Sequence, residues 1–368
     1  MAPALVDLFL EAIRVDALSL HEAPVAQFAR RALRDLNIRI VEDDTGRKVG
    51  GDCGNLICLP PTWSPGRPAI ALLAHMDTPR STAGVQPVFT NGRIASDGTT
   101  ILGVDNRAGY STLLHVLAEH ARAGTPGNFI VVFTMGEEIG MYGSKHLDLS
   151  PYNVPMAFVF DCSRRPGTFI RSAVGSSLYK ATVTGRAAHA GVAPEKGINA
   201  IHLAAQALSR LPTGRLSPAL TCNMATISGG TATNVVPERC TIEGEVRAFS
   251  PGPIDDHLAV IDRTFRSVVE PQGGAVTLDT SVDFPPFSLD PSCAVFRRTV
   301  DVLSALGLTP DPIEYLGGSD ANMLNANGTP AVNLGIGAQN PHANDEFILV
   351  EDLEMSATIA RALIATTR

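Results

Sequence analysis

The chain has no Cys-x-x-Cys pair; its six cysteines (53, 58, 162, 222, 240 and 293) are spread along it. That excludes a structural zinc knuckle and a thioredoxin-type redox motif. Runs of basic residues are missing too, and the formal net charge is −8. Nucleic-acid binding needs a lysine and arginine footprint, so that class is set aside. No uninterrupted apolar run approaches the roughly 20 residues that span a bilayer, so no membrane is expected. The opening residues MAPALVDLFLEAIRV carry Asp7 and Glu11 and no basic stretch, so a secretory leader is not expected. Internal repeats and low-complexity tracts are absent. The expectation is a cytoplasmic protein with reduced thiols.

What is present is ample apolar material: 368 residues, 45% hydrophobic, enough for two domains or three. Residues 4–36 read as amphipathic helix broken near 19–22. Ile38–Val41 and Asn55–Leu59 read as short strands, and 60–68 (PPTWSPGRP) as loop by its prolines. The apolar runs at 69–74, 129–135 and 157–160 are continuous rather than alternating, which predicts strands buried on both faces. Between the first two, Tyr110, Leu113, Leu114, Leu117 and Ala121 share one helical face. This strand–helix–strand rhythm predicts an α/β fold with a mostly parallel sheet.

Near residue 177 the pattern changes. Residues 178–184, 222–227 and 240–248 alternate, as half-exposed antiparallel strands do, and helices are predicted at 197–211 and 253–269. An α+β domain, an antiparallel sheet plus two helices over 177–285, is thus inserted into a discontinuous first domain, 1–176 and 286–368. The α/β pattern resumes after Pro285-Pro286 with helix 291–306, a glycine-rich loop at Gly317-Gly318-Ser319-Asp320, strand 330–336 and a last helix at 350–366.

Acids and imidazoles sit at the ends of the apolar runs: His75 and Asp77 after 69–74, Asp105 in LGVDN, Glu137-Glu138 after 129–135, Asp161 after 157–160 and His342 after 331–336. In parallel sheets, sites form at the carboxyl ends of strands. Such groups are costly to bury unless neutralised. Histidine and carboxylate without cysteine fit zinc, cobalt or manganese in a hydrolytic site. His75 and Asp77, two apart on a strand end, point the same way, so Asp77 can orient the imidazole. Glu137 and Glu138 face opposite ways in extended backbone; one can bind metal while the other serves as general base. Each residue has a plainer alternative: Asp105 as a helix cap, Asp161 in a turn, His342 in a loop, Glu137-Glu138 as a solvated acidic turn. Five coincidences at successive strand ends favour the metal reading. In the inserted region His189 is flanked by small residues, and Arg247 can either fork a substrate carboxylate or stand as a surface arginine.

In these segments, together with Gly185–Gly191, Thr233-Asn234-Val235-Val236-Pro237 and Pro341-His342, the chain resembles peptidase T and its relatives. Those are two-zinc peptidases whose kin include carboxypeptidase G and aminoacylases. The resemblance runs over nearly the whole length. It implies that His75 and Asp161 bind one ion, Glu138 and His342 the other, that Asp105 bridges, and that Glu137 is the base. It also implies an inserted lid and dimerisation domain, a homodimer, and a His189 that reaches across to the partner's site to hold the carbonyl oxygen. Asn234, Arg247 and Gly318 match positions that contact substrate. Arg107 departs from the pattern, where a smaller polar residue or lysine is expected, and its expected place is the cleft edge. The chain is also shorter than peptidase T itself, which implies trimmed tripeptide-selecting loops. The expected activity is removal of residues from short peptides. An N-acyl or N-carbamoyl amino-acid amidohydrolase with the same site, and a non-catalytic metal-bearing protein, are the rivals.

Overall fold

The computed structural model describes residues 4–367, so residues 1–3 and 368 of the expected first domain lie outside it. Two compact units emerge. One contains the chain up to Ser172, Leu289–Tyr315 and the chain from Ser319; the other contains Ala173–Ser288 and Leu316–Gly318.

The first unit is built on a sheet whose four central strands run parallel: Phe129–Thr134, Ile70–His75, Met156–Cys162 and Ala331–Gly335. The first two are buried at every residue. A strand with helices on both faces has no solvent side, so its sequence cannot alternate. Antiparallel strands flank this centre: Leu56–Leu59 and Arg39–Glu42 on one side, Thr168–Ala173 on the other. Helix Val104–Ala123 packs on Ile70–His75, and helices Ala4–Ala12 and Val350–Ala365 pack on it. It lies so close to the sheet that a Cβ on Gly109 would meet the Phe160 carbonyl oxygen at 2.1 Å.

Register decides what the strand ends present. His75 pairs with Thr134 and Leu73 with Val159. His75, the segment after Thr134 and Asp161 therefore finish at the same edge of the sheet. A small sheet of Pro87–Thr90, Arg93–Ser96 and Phe347–Leu349 is also present. The sequence reading missed it, although Asn91-Gly92, both at positive φ, is the signature of a two-residue hairpin turn.

The second unit is a five-stranded antiparallel sheet in the order Gly214–Ser217, Leu220–Gly229, Arg239–Ala248, Gly175–Thr184, Ala275–Phe284. Helices Ala200–Leu208 and Pro251–Val269 supply Leu203, Ile261 and Phe265 to a core with Tyr179, Ala181, Val183, Ile242 and Val246 from the strands. The alternation read from the sequence is the alternation between this core and the opposite face. The last strand, Ala275–Phe284, is mostly exposed, which is why its weak pattern was not read. No helix among the described residues is long and apolar enough to cross a membrane.

Candidate metal centre

Six of the residues singled out from the sequence converge at the carboxyl edge of the first unit's sheet. His75, the last residue of its strand, directs Nε2 to within 3.1 Å of Asp105 Oδ1 and 3.2 Å of Asp161 Oδ1. Its Nδ1 lies 3.2 Å from Asp77 Oδ1. His342 directs Nε2 to 3.3 Å from Asp105 Oδ2 and 3.5 Å from Glu138 Oε2. Asp105 thus presents one oxygen to each imidazole, with Asp161 on the His75 side and Glu138 on the His342 side. His342 holds φ +69°, a left-handed backbone that non-glycine residues adopt at a cost of roughly 1–3 kcal/mol and only where surroundings enforce it.

The electrostatics of this cluster favour added positive charge. Glu138 Oε1 is buried and has no hydrogen-bond partner. In the metal-free protein, burial and then the neighbouring Asp105 charge push the Glu138 carboxyl up to about 8. Glu137 is pushed well above the ordinary range, first by burial and then by Asp161, Asp320 and Glu138, against the pull of His75. Anions crowded into a low-dielectric site are strained unless positive charge joins them. His75, Asp105 and Glu138 offer ligand atoms within 4.8 Å of one another. This is a histidine and carboxylate donor set without thiolate, suited to zinc, cobalt or manganese. A second group, Glu22, Asp52 and Cys53, is as compact; there Glu22 Oε1 accepts two backbone amides while its Oε2 is buried without a partner.

Several polar residues that serve this edge, two of them buried, were missed in the sequence. Ser19 donates to Asp77 Oδ2 at 2.6 Å. Asn333, on the strand beside Asp161, accepts the Asp161 N–H at 3.2 Å. Glu346 accepts the N–H groups of Gly103 and Asp105 at 2.7 and 3.2 Å, tying the loop of His342 to the turn of Asp105. Only the short interval from His342 to Glu346 could have signalled this. Arg107 corrects an expectation: it is fully buried rather than at a cleft edge. Its guanidinium donates to the carbonyl oxygens of Ala12, Met76 and Val15, fastening the N-terminal helix to the residue between His75 and Asp77.

The remaining candidates lie in the second unit. His189 and Asn234 are exposed neighbours: His189 bridges to Val235, and the Ala190 N–H donates to the Asn234 carbonyl at 2.9 Å. His189 Nδ1 accepts the amides of Gly191 and Val192, each at 3.2 Å. An imidazole nitrogen that accepts is unprotonated, which leaves the proton on Nε2 as an outward donor. Arg247 is paired with Glu245 at 2.9 Å and stacked 5.7 Å from the Phe284 ring centre. Gly318 belongs to the short Leu316–Gly318 segment of this unit.

Comparison with known proteins accords with this arrangement. Residues 171–271 match a peptidase dimerisation domain. An uncharacterised protein, YqjE, of Bacillus subtilis strain 168 is 33% identical over 365 residues, covering 98% of this chain and 97% of its own. The chain belongs to the M20 peptidase family. Among solved structures, aminopeptidase PepT of Bacillus cereus ATCC 10987 superposes with a TM-score of 0.85 at 32% identity, covering 98% of this chain and 97% of its own. A tripeptidase of Staphylococcus aureus superposes with a TM-score of 0.90 at 29% identity, covering 99% and 97%. This M20 peptidase is thus matched over nearly its full length, in both units.

Proposed function

We propose that the chain is a two-metal exopeptidase acting on short peptides. The observation that carries this reading is the split of Asp105: one oxygen 3.1 Å from His75 Nε2, the other 3.3 Å from His342 Nε2. His75 and Asp161 would hold one ion and Glu138 and His342 the other, with Asp105 shared between them. Zinc is the proposed metal, with cobalt or manganese able to replace it. When bound there, such ions polarise the scissile carbonyl and make water a stronger nucleophile near neutral pH.

The chain's own groups supply the rest. Asp77 orients His75 through Nδ1. Glu137 takes a proton from the attacking water as its oxygen bonds to the carbonyl carbon, then gives that proton to the amine nitrogen as the carbon–nitrogen bond breaks. His189, protonated on Nε2, is suited to donate to the carbonyl oxygen. Its proposed placement in the partner's site rests on family resemblance, as do substrate contacts from Asn234, Arg247 and Gly318.

Short peptides are the substrates that PepT-like relatives support. The solved tripeptidase is covered over 97% of its length by this chain, so chain length does not argue against tripeptides. A panel of di- and tripeptides beside N-acyl and N-carbamoyl amino acids tests the reading. Peptide cleavage abolished by a chelator and restored by zinc, cobalt or manganese is expected. Cleavage of the N-acyl compounds alone, or peptide cleavage indifferent to chelation, would overturn it.

The matched dimerisation domain supports a homodimer formed through the second unit. Light scattering should return twice the chain mass; a monomer mass at micromolar concentration defeats this part. A cytoplasmic setting is consistent with six free cysteines, five of them buried; recovery from a secreted fraction would contradict it.

A further inference from the structure

The segment that carries Glu137 and Glu138 shows four successive backbone amides, each held by a side-chain oxygen. Met135 donates to Asn55 Oδ1 at 3.1 Å and Gly136 to Glu22 Oε1 at 2.8 Å. Glu137 donates to Asp77 Oδ1 and Glu138 to Asp77 Oδ2, both at 3.1 Å. The flanks are tied as well. Asp320 accepts from Thr134 Oγ1 at 2.5 Å and from Ser144 Oγ at 2.6 Å, one oxygen to each. Thr134 ends the strand before the segment, and Ser144 lies in the helix Tyr142–His146 after it. Asn55 also donates to the Gly143 carbonyl at 2.9 Å. Glu22 and Asn55 are fully buried, and Asp320 is 1% exposed.

Backbone that leaves a strand loses its ladder partners, and buried amides must find others. Here the acceptors come from three separate stretches of sequence. They fix successive peptide planes, and with them the direction in which Glu137 leaves the backbone. A general base works only within hydrogen-bond reach of its proton, and a shift of about 1 Å can cost about 100-fold in rate. Three polar side chains would be costly to bury here without such partners.

We propose that Glu22, Asn55 and Asp320 are positioning residues that clamp the Glu137–Glu138 segment and so hold the base in place. The proposal rests on Glu137 being the general base. It is tested with E22A, E22Q, D320A and D320N in metal-loaded protein. Three quantities are measured on each: hydrogen exchange of the peptide covering 134–144, metal content, and kcat and KM for tri-alanine well below the melting point.

In E22A and D320A the exchange of the 135–138 amides should rise at least about tenfold, and kcat should fall about 10- to 100-fold. With zinc in excess, metal content should match wild type even though Glu138 shares the segment, and KM should stay within about twofold. E22Q keeps a carbonyl acceptor for the two amides and should recover most of kcat; D320N should fall between D320A and wild type. Unchanged exchange, unchanged kcat, or a kcat loss that follows metal loss would overturn the clamp. Should E22A fail to fold, S144A, which removes one hydroxyl from Asp320, carries the same readouts. If wild-type protein cleaves no peptide, the functional reading falls, and the exchange measurements still decide whether these residues hold the segment.

Discussion

Glu137 and Glu138 are adjacent and chemically identical, yet their surroundings separate them. Glu138 faces His342 at 3.5 Å with one oxygen and leaves the other buried without a partner. Glu137 is held through its backbone amide by Asp77, and its carboxylate is the proposed general base. Glu137→Gln keeps size and shape and removes the basic oxygen. It should lower kcat by about 100- to 10,000-fold, the typical reach of a general base, while metal content stays as in wild type. Retained activity, or loss of metal, would count against that role. Asp77 shows how much one buried carboxylate can organise: it accepts from Ser19, faces His75 Nδ1 and takes two amides.

At the scale of elements, the site depends on how closely helix Val104–Ala123 approaches the sheet. Gly109 is the contact point, and Asn106, in the helix's first turn, donates to the same Phe160 carbonyl at 2.8 Å. Gly109→Ala forces the helix away from the strand that ends in Asp161. Overpacking of this kind costs typically about 1–3 kcal/mol; urea unfolding should show that loss, and metal affinity should fall because Asp105 and Asp161 move apart. Unaltered stability and affinity would show that this approach has slack. The strands themselves were legible in the sequence, since continuous apolar runs leave few alternatives. Thr168–Ala173 and Asp311–Tyr315 were not, because flanking strands carry mixed residues and their pairing depends on partners far along the chain.

For the whole molecule, the buried carboxylates make stability without metal depend on pH. Glu22 is raised to about 7, by burial and then by the Asp77 charge. Glu346 is raised to about 7, by burial and then by the Asp105 charge. Between the ordinary value of 4.5 and about 7, the folded chain holds protons on these groups that the unfolded chain has released. Stability therefore falls as pH rises through that window, by up to about 3 kcal/mol per group. The urea midpoint of chelator-treated protein should drop from pH 5 to pH 8. A flat or rising midpoint would refute this account.

Sequence alone determined the types of donor residue, their places at strand ends, and the change from continuous to alternating hydrophobicity that marks the second unit. These are local patterns, written by which faces of a strand or helix meet water. Family resemblance implied that Asp105 bridges, and the tertiary structure supplied its distances to the two imidazoles; only the tertiary structure decided that Arg107 is interior and that Glu22, Asn55 and Asp320 hold the Glu137 segment. Thr134 and Asp320 are 186 residues apart, and no periodicity links them. A buried hydrogen bond is specified by distance and direction in space, which the chain acquires only once its apolar core has closed.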